Sequence, residues 1–145
     1  MNKSLFSKVK IPIVIISVVL VLFAALEILT YMPKGKYENA EISIGASNVF
    51  SQSDFEQAKK AIFAEFKNYD GCEMLSLVYD ESMSDEYKNY FYPDYDLEIM
   101  VLYSDFKTQK NMQGNGFNDD CLYREWKWIM VKNEGEWIVR DRGLP

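Results

Sequence analysis

The chain has 145 residues, with 16 Lys and Arg against 22 Asp and Glu, a net charge of −6, and no histidine. An acidic balance disfavours nucleic acid and anionic headgroups as partners. The missing histidine removes Ser-His-Asp and Cys-His catalysis, histidine-ligated zinc and the usual near-neutral proton shuttle.

Residues 1–10 read as a short cytoplasmic tail carrying Lys3, Lys8 and Lys10. The run Ile11–Leu29 is broken only by Pro12, Ser17 and Glu27, and residues 11–31 are expected to form a transmembrane signal-anchor helix. At a rise of 1.5 Å per residue, about 19 helical residues reach roughly 28 Å, close to the hydrocarbon thickness of a bilayer. Three lysines precede the run, while Lys34 and Lys36 follow it, so the expected orientation is single-pass with the amino end in the cytoplasm. A cleaved secretory signal is the competing reading. It is weakened because cuts after Ala24 or Ala25 leave Leu22 or Phe23 at the position that needs a small residue. Either reading places the rest of the chain outside the cytoplasm, in or beyond the cell membrane.

Residues 32–49 read as a spacer with two glycines and one proline, in which Ile42 and Ile44 alternate and could add a brief strand. Residues 50–145 are expected to form the exported domain. From Pro33 onward 13 Lys and Arg face 21 Asp and Glu, a net of −8. Ser51 is a good N-cap with Asp54 three positions on, and Phe50 and Phe55 stand at the positions of a hydrophobic staple. Phe55, Ala58, Ile62, Phe66 and Tyr69 then recur every three or four residues, which predicts a helix over about Gln52–Tyr69 closed by Gly71 at C′.

Glu73–Tyr79 reads as a strand, and Ser84 as the cap of a short helix through Tyr90 stopped by Pro93. Leu97–Tyr103 reads as a central strand covered on both faces. Thr108–Asp120 has the Gly and Asn content of a loop. In the strand Leu122–Lys132, alternation puts Leu122, Arg124, Trp126, Trp128 and Met130 on one face. Tyr123, Glu125, Lys127, Ile129 and Val131 fall on the other. Asn133–Glu134–Gly135 turns the chain into a return strand, Glu136–Arg140. The expected fold class is α+β: the transmembrane helix, then one amphipathic helix packed on a curved antiparallel sheet of about four strands.

The segments FSQSDF and FKNYDGC around the helix, LYSDF after the central strand and YREWKWIMVKNEGEW at the end resemble a group of small exported bacterial domains anchored by a lipid or one helix. The resemblance covers about Phe50–Gly143. It implies an NTF2-like or cystatin-like envelope domain and brings no catalytic residues with it.

Four constellations bear on chemistry. Cys72 and Cys121 form an even pair suited to a disulfide in an oxidising compartment, but in a meander they start strands two spacings apart, about 9.6 Å. A bridge needs Cα atoms within about 6.8 Å. Asn115, Asn118, Asp119 and Asp120 offer oxygen ligands without EF-hand spacing, so no metal site is expected. Asp80, Glu81, Asp119 and Asp120 are the carboxylates a hydrolase would need, with no spacing that singles out a pair. Tyr87, Tyr90, Phe91, Tyr92 and Tyr95 form the candidate binding surface, a dense aromatic run that either stacks on a partner or closes the end of a core.

These features point to a non-enzymatic domain without cofactors that binds an envelope protein or a small ligand. The alternatives are a ligand pocket of the NTF2 type between the long helix and Trp126, Trp128 and Trp137, or immunity against an exported toxin.

Overall fold

A computed structural model describes residues 15–27, 33–93, 98–110, 112 and 116–144. The chain divides into two compact units, Met1–Met32 and Pro33–Pro145.

In the first unit, residues 15–27 form a helix, α1, whose large apolar side chains from Ile15 to Leu26 are exposed. This overturns the expected transmembrane helix over residues 11–31: no helix among the described residues is long and apolar enough to cross a membrane. The described part of the helix, residues 15–27, rises about 20 Å. The remainder of the expected span, and the basic tail with it, lies outside the described residues.

The second unit contains β1 (Glu41–Ile44), α2 (Gln52–Phe66), β2 (Cys72–Tyr79), α3 (Glu81–Phe91), β3 (Ile99–Thr108), β4 (Leu122–Asn133) and β5 (Glu136–Gly143). The sheet has five strands in chain order, one more than the four expected. The addition is β1, whose alternating isoleucines lie along the outer side of β2 in parallel register. The other three pairings are antiparallel.

Helix α2 starts where its capping chemistry dictates. The Ser51 side chain accepts the Asp54 N–H, the Asp54 carboxylate accepts the Ser51 N–H at 2.9 Å, and Phe50 meets Phe55 edge-on at 6.1 Å. It stops at Phe66, three residues before the expected end. Tyr69 lies beyond in the turn and still packs against Phe66, with ring centroids 5.1 Å apart. Gly71 has φ +74°, but it closes the turn into β2 rather than the helix, donating its N–H to Pro33 O at 2.7 Å.

The sheet buries both faces, and β3 lies at its centre. On one face Met100, Leu102 and Phe106 of β3 and Trp128 and Met130 of β4 pack under Phe55, Ala58, Ile62 and Phe66 of α2. Within this layer the Trp128 indole N–H donates to Ser104 Oγ at 2.8 Å, so a fully buried donor is paired. On the other face Ile99, Val101, Tyr103, Ile129 and Val131 form a second cluster, covered by Tyr87 and Tyr92.

Strand β4 departs from simple alternation. Ser104 pairs with Trp126, yet Phe106 pairs with Tyr123, so Arg124 and Glu125 together oppose Asp105. Glu125 takes φ +54°, and its N–H donates to Asp105 Oδ1 at 2.9 Å. The bulge moves Tyr123 onto the tryptophan face, where its ring stacks on Phe106 at 4.9 Å. Leu122, expected on that face, is turned out and 48% exposed.

Candidate binding groove between α3 and the sheet

Helix α3 is built from an acidic N-terminus and an aromatic C-terminus. Asp80, not Ser84, is its N-cap: the Asp80 carboxylate accepts the Met83 N–H at 3.0 Å, and Ser84 falls inside the helix. A serine in a helix interior needs another task, and Ser84 has one. Its hydroxyl is buried and accepts the Val101 N–H of β3 at 3.0 Å, tying the helix to the second face of the sheet.

That tie leaves a hollow of about 390 Å³ beside the helix. Met83, Glu86, Tyr87, Tyr90 and Phe91 form its helical wall, and Tyr103, Glu125 and Lys127 form its sheet wall. The volume falls within the range of small-ligand and side-chain pockets, roughly 300–1,000 Å³. Tyr90 is 77% and Phe91 56% exposed. Their rings meet edge-on at 4.7 Å, and Tyr87 lies 4.5 Å from Phe91, so three rings form one continuous apolar shelf.

Glu125 keeps the side of Lys127 and Tyr103 that alternation gives it, and the bulge at Asp105 takes Tyr123 away from that side. The Lys127 ammonium stands 5.3 Å from the centre of the Tyr87 ring. Burial lowers its pKa, and Glu125 opposes that shift. The Tyr103 hydroxyl donates to Met83 O at 3.4 Å. Burial pushes it up to about 12, with Tyr87, Asp80, Glu125 and Glu86 adding to the rise. The charged groups lining the hollow are thus two carboxylates, Glu86 and Glu125, and one ammonium, Lys127.

Of the five aromatic residues singled out in the sequence, Tyr87, Tyr90 and Phe91 line the hollow. Tyr92 is half-buried and packs on the Ile99 cluster instead, and Tyr95 lies outside the described residues. Sequence reasoning missed the sheet wall. Glu125 and Lys127 do alternate with the tryptophans, so the signal was a β4 face carrying charge where a buried face carries none.

The other constellations serve the fold. Cys72 and Cys121 are free thiols on either side of Thr108, which pairs with Cys72 in the ladder and donates its N–H to Cys121 O at 2.9 Å. Burial pushes the Cys72 thiol up to about 12, with Asp70 contributing. In the loop before β4, Asp119 accepts the Met112 N–H at 2.6 Å and Asp120 stands 3.8 Å from Lys110. Asn115 lies outside the described residues. Glu81 accepts the Asn48 N–H at 2.9 Å, fastening the chain before α2 to α3. Among the described residues no group of three or more Cys, Asp or Glu is placed to hold a metal ion.

Two further hollows flank α2. One, of about 560 Å³, is edged by Lys59, Lys60 and Lys67 beside the stacked rings of Tyr37 and Phe63. The other, of about 590 Å³, lies between Glu65, Phe117, Trp126 and Arg142. There Arg142 is held by Glu65 at 2.8 Å. The Tyr69 hydroxyl lies close to Arg142 and to the Trp126 indole, both of which oppose its burial-driven rise to about 12. Neither contact has hydrogen-bond geometry, and the hydroxyl and the indole N–H are both sealed from solvent.

No protein-family model, no curated protein and no solved structure matches the chain.

Proposed function

We propose that the unit from Pro33 onward is a non-catalytic binding domain that receives a segment of a partner protein in the hollow between α3 and β3–β4. One observation carries the reading: Tyr90 and Phe91 stand exposed on a helix whose other side is fixed to the sheet through Ser84 and Tyr87. Large aromatic faces held rigidly in water are a feature of contact surfaces, because they bury much apolar area at little cost in side-chain entropy.

An interior ligand pocket of the NTF2 type is less well supported. The space between α2 and Trp128 and Trp137 is filled, with Ile62, Phe66, Leu102 and Trp128 at 0% exposure and Trp137 at 3%, and the hollow beside Trp126 is open to the surface. The likeness to NTF2-like and cystatin-like envelope domains belongs to this proposal and supports binding without specifying the bound molecule.

The test is selection of a displayed random dodecapeptide library on the immobilised full chain, repeated with Tyr90→Ala and Phe91→Ala together. Because both side chains are exposed, the double variant should unfold within about 2–4 °C of wild type. It should also lose the selected peptides. Peptides retained by the variant, or none selected at all, would remove the reading.

A further inference from the structure

Taking the α3 hollow as the binding surface, we infer that its occupant is a basic segment of the partner protein, with a lysine or arginine next to an apolar side chain. The hollow is asymmetric in a way that fits such a segment and few others. Glu86 approaches from the helix and Glu125 from the bulge in β4, so the two carboxylates belong to opposite walls. Asp80, at the helix start, is near enough to act with both on the Tyr103 hydroxyl. An incoming cation thus meets one carboxylate from each wall, Glu86 of α3 and Glu125 of β4.

The chain also contains an internal example of the contact. Among the described lining residues Lys127 is the one cation, and its ammonium lies over the Tyr87 ring at 5.3 Å. The aromatic wall therefore accommodates a positive charge on its face, as electron-rich rings do. Tyr90 and Phe91 are further out, continue the same shelf and carry no charge partner of their own in the hollow. They supply the apolar part of the contact. The shelf is longer than one side chain, which favours a peptide over a free small cation.

Charge elsewhere points the same way. The whole chain carries −6, so approach of a basic partner is favoured and approach of an anionic surface is opposed. Of the lysines of the second unit, Lys127 stands in this hollow against Glu86 and Glu125, while Lys59, Lys60 and Lys67 gather on α2, around a different hollow.

The peptide selection described above separates this inference from the binding reading beneath it. The selected dodecapeptides should be enriched in Lys or Arg beside Leu, Phe, Met or Tyr. Their binding should weaken about tenfold between 50 and 500 mM NaCl, through screening of the acidic walls. Glu86→Gln with Glu125→Gln should reduce affinity by a comparable factor at low salt and flatten that salt dependence. Circular dichroism of both double variants should match wild type. Neutral or acidic peptides that are lost on Tyr90→Ala with Phe91→Ala would overturn the inference and leave the binding reading standing. No selected peptide, or peptides indifferent to both double variants, would overturn both. Self-association of the chain that the same substitutions abolish would assign the hollow to a second copy and overturn the inference as well.

Discussion

Substitution of Asp54 should be the most damaging single change among the polar residues of the second unit. Its carboxylate joins three elements. Oδ2 accepts the Ser51 N–H at 2.9 Å, completing the cap of α2, while Oδ1 accepts the Trp137 indole N–H of β5 at 2.8 Å and the Lys132 ammonium of β4 at 3.0 Å. The Asp54 side chain is only 16% exposed, so these bonds are little weakened by water. Asp54→Ala removes half a capping box, worth about 0.5–1 kcal/mol. It also leaves the Trp137 N–H buried without a partner, at a cost of about 1–3 kcal/mol. Lys132 keeps Glu98 at 3.2 Å and contributes less, under about 1 kcal/mol. The total is about 3 kcal/mol. At about 2.1 cal/mol/K per residue, a unit of about 110 residues has an unfolding entropy near 0.23 kcal/mol/K, so Tm should fall by about 13 °C. Thermal unfolding of the full chain by far-UV circular dichroism measures this, and a fall of less than about 4 °C would refute the assignment.

The same carboxylate gives the unit an acid limit of known sign. Hydrogen bonds from Ser51, above all, and from Trp137 hold the Asp54 pKa well below its ordinary value. A depressed folded pKa means that the stabilisation is fully present above the unfolded value, near 3.9, and is lost as pH falls through the folded one. The stability difference between wild type and Asp54→Asn should therefore be constant above about pH 5 and shrink from about pH 4 downward. Urea unfolding across that range reads it directly. A difference that grows on acidification would contradict the hydrogen-bond assignment.

Three other outcomes follow from single contacts. Ser84→Ala leaves the buried Val101 N–H without its acceptor and should cost about 1–3 kcal/mol, with amide exchange at Val101 accelerated; unchanged protection there would exclude the tie. Under native conditions iodoacetamide should modify Cys121 well before Cys72, because Cys72 is 2% exposed and its thiol is pushed up to about 12; comparable rates by mass spectrometry would contradict that placement. Gly35→Ala should destabilise markedly, since an added Cβ would fall 2.0 Å from Phe66 O; a variant that melts within 2 °C of wild type would show that the chain there can shift.

Where the sequence could be read, local chemistry alone set the answer. Ser51, Asp54, Phe50 and Phe55 define the start of α2 within one turn, and the capping box and staple form as their spacing requires. The β4–β5 turn is equally local: Glu134 and Gly135 take φ of +51° and +88°, the left-handed pair a two-residue hairpin needs. Ser84 shows the opposite case. Its sequence context suits an N-cap, but Asp80 has the same capability one turn earlier, and only the Val101 N–H waiting across the sheet decides between them.

The hollow beside α3 lies at the far end of this scale. Its helical wall was visible as an aromatic cluster and the charges of its sheet wall as the alternation of Glu125 and Lys127, whereas the bulge that takes Tyr123 off that wall was not. With strict pairing throughout β4, Tyr123 would stand beside Glu125 and Lys127; with the bulge it joins Phe106, and Glu125 is left projecting toward α3. Asp105 is the residue that makes this difference. It accepts the Glu125 N–H at 2.9 Å, and its own N–H donates to Ser76 Oγ at 3.3 Å opposite a second irregularity, in β2. One residue of the central strand thus meets the irregularities on both sides, its carboxylate holding Glu125 of β4 and its backbone N–H meeting Ser76 of β2. It follows that the acidic wall and the sheet curvature are coupled: a change at Asp105 should disturb the hollow through the backbone of Glu125 without touching any residue that lines it.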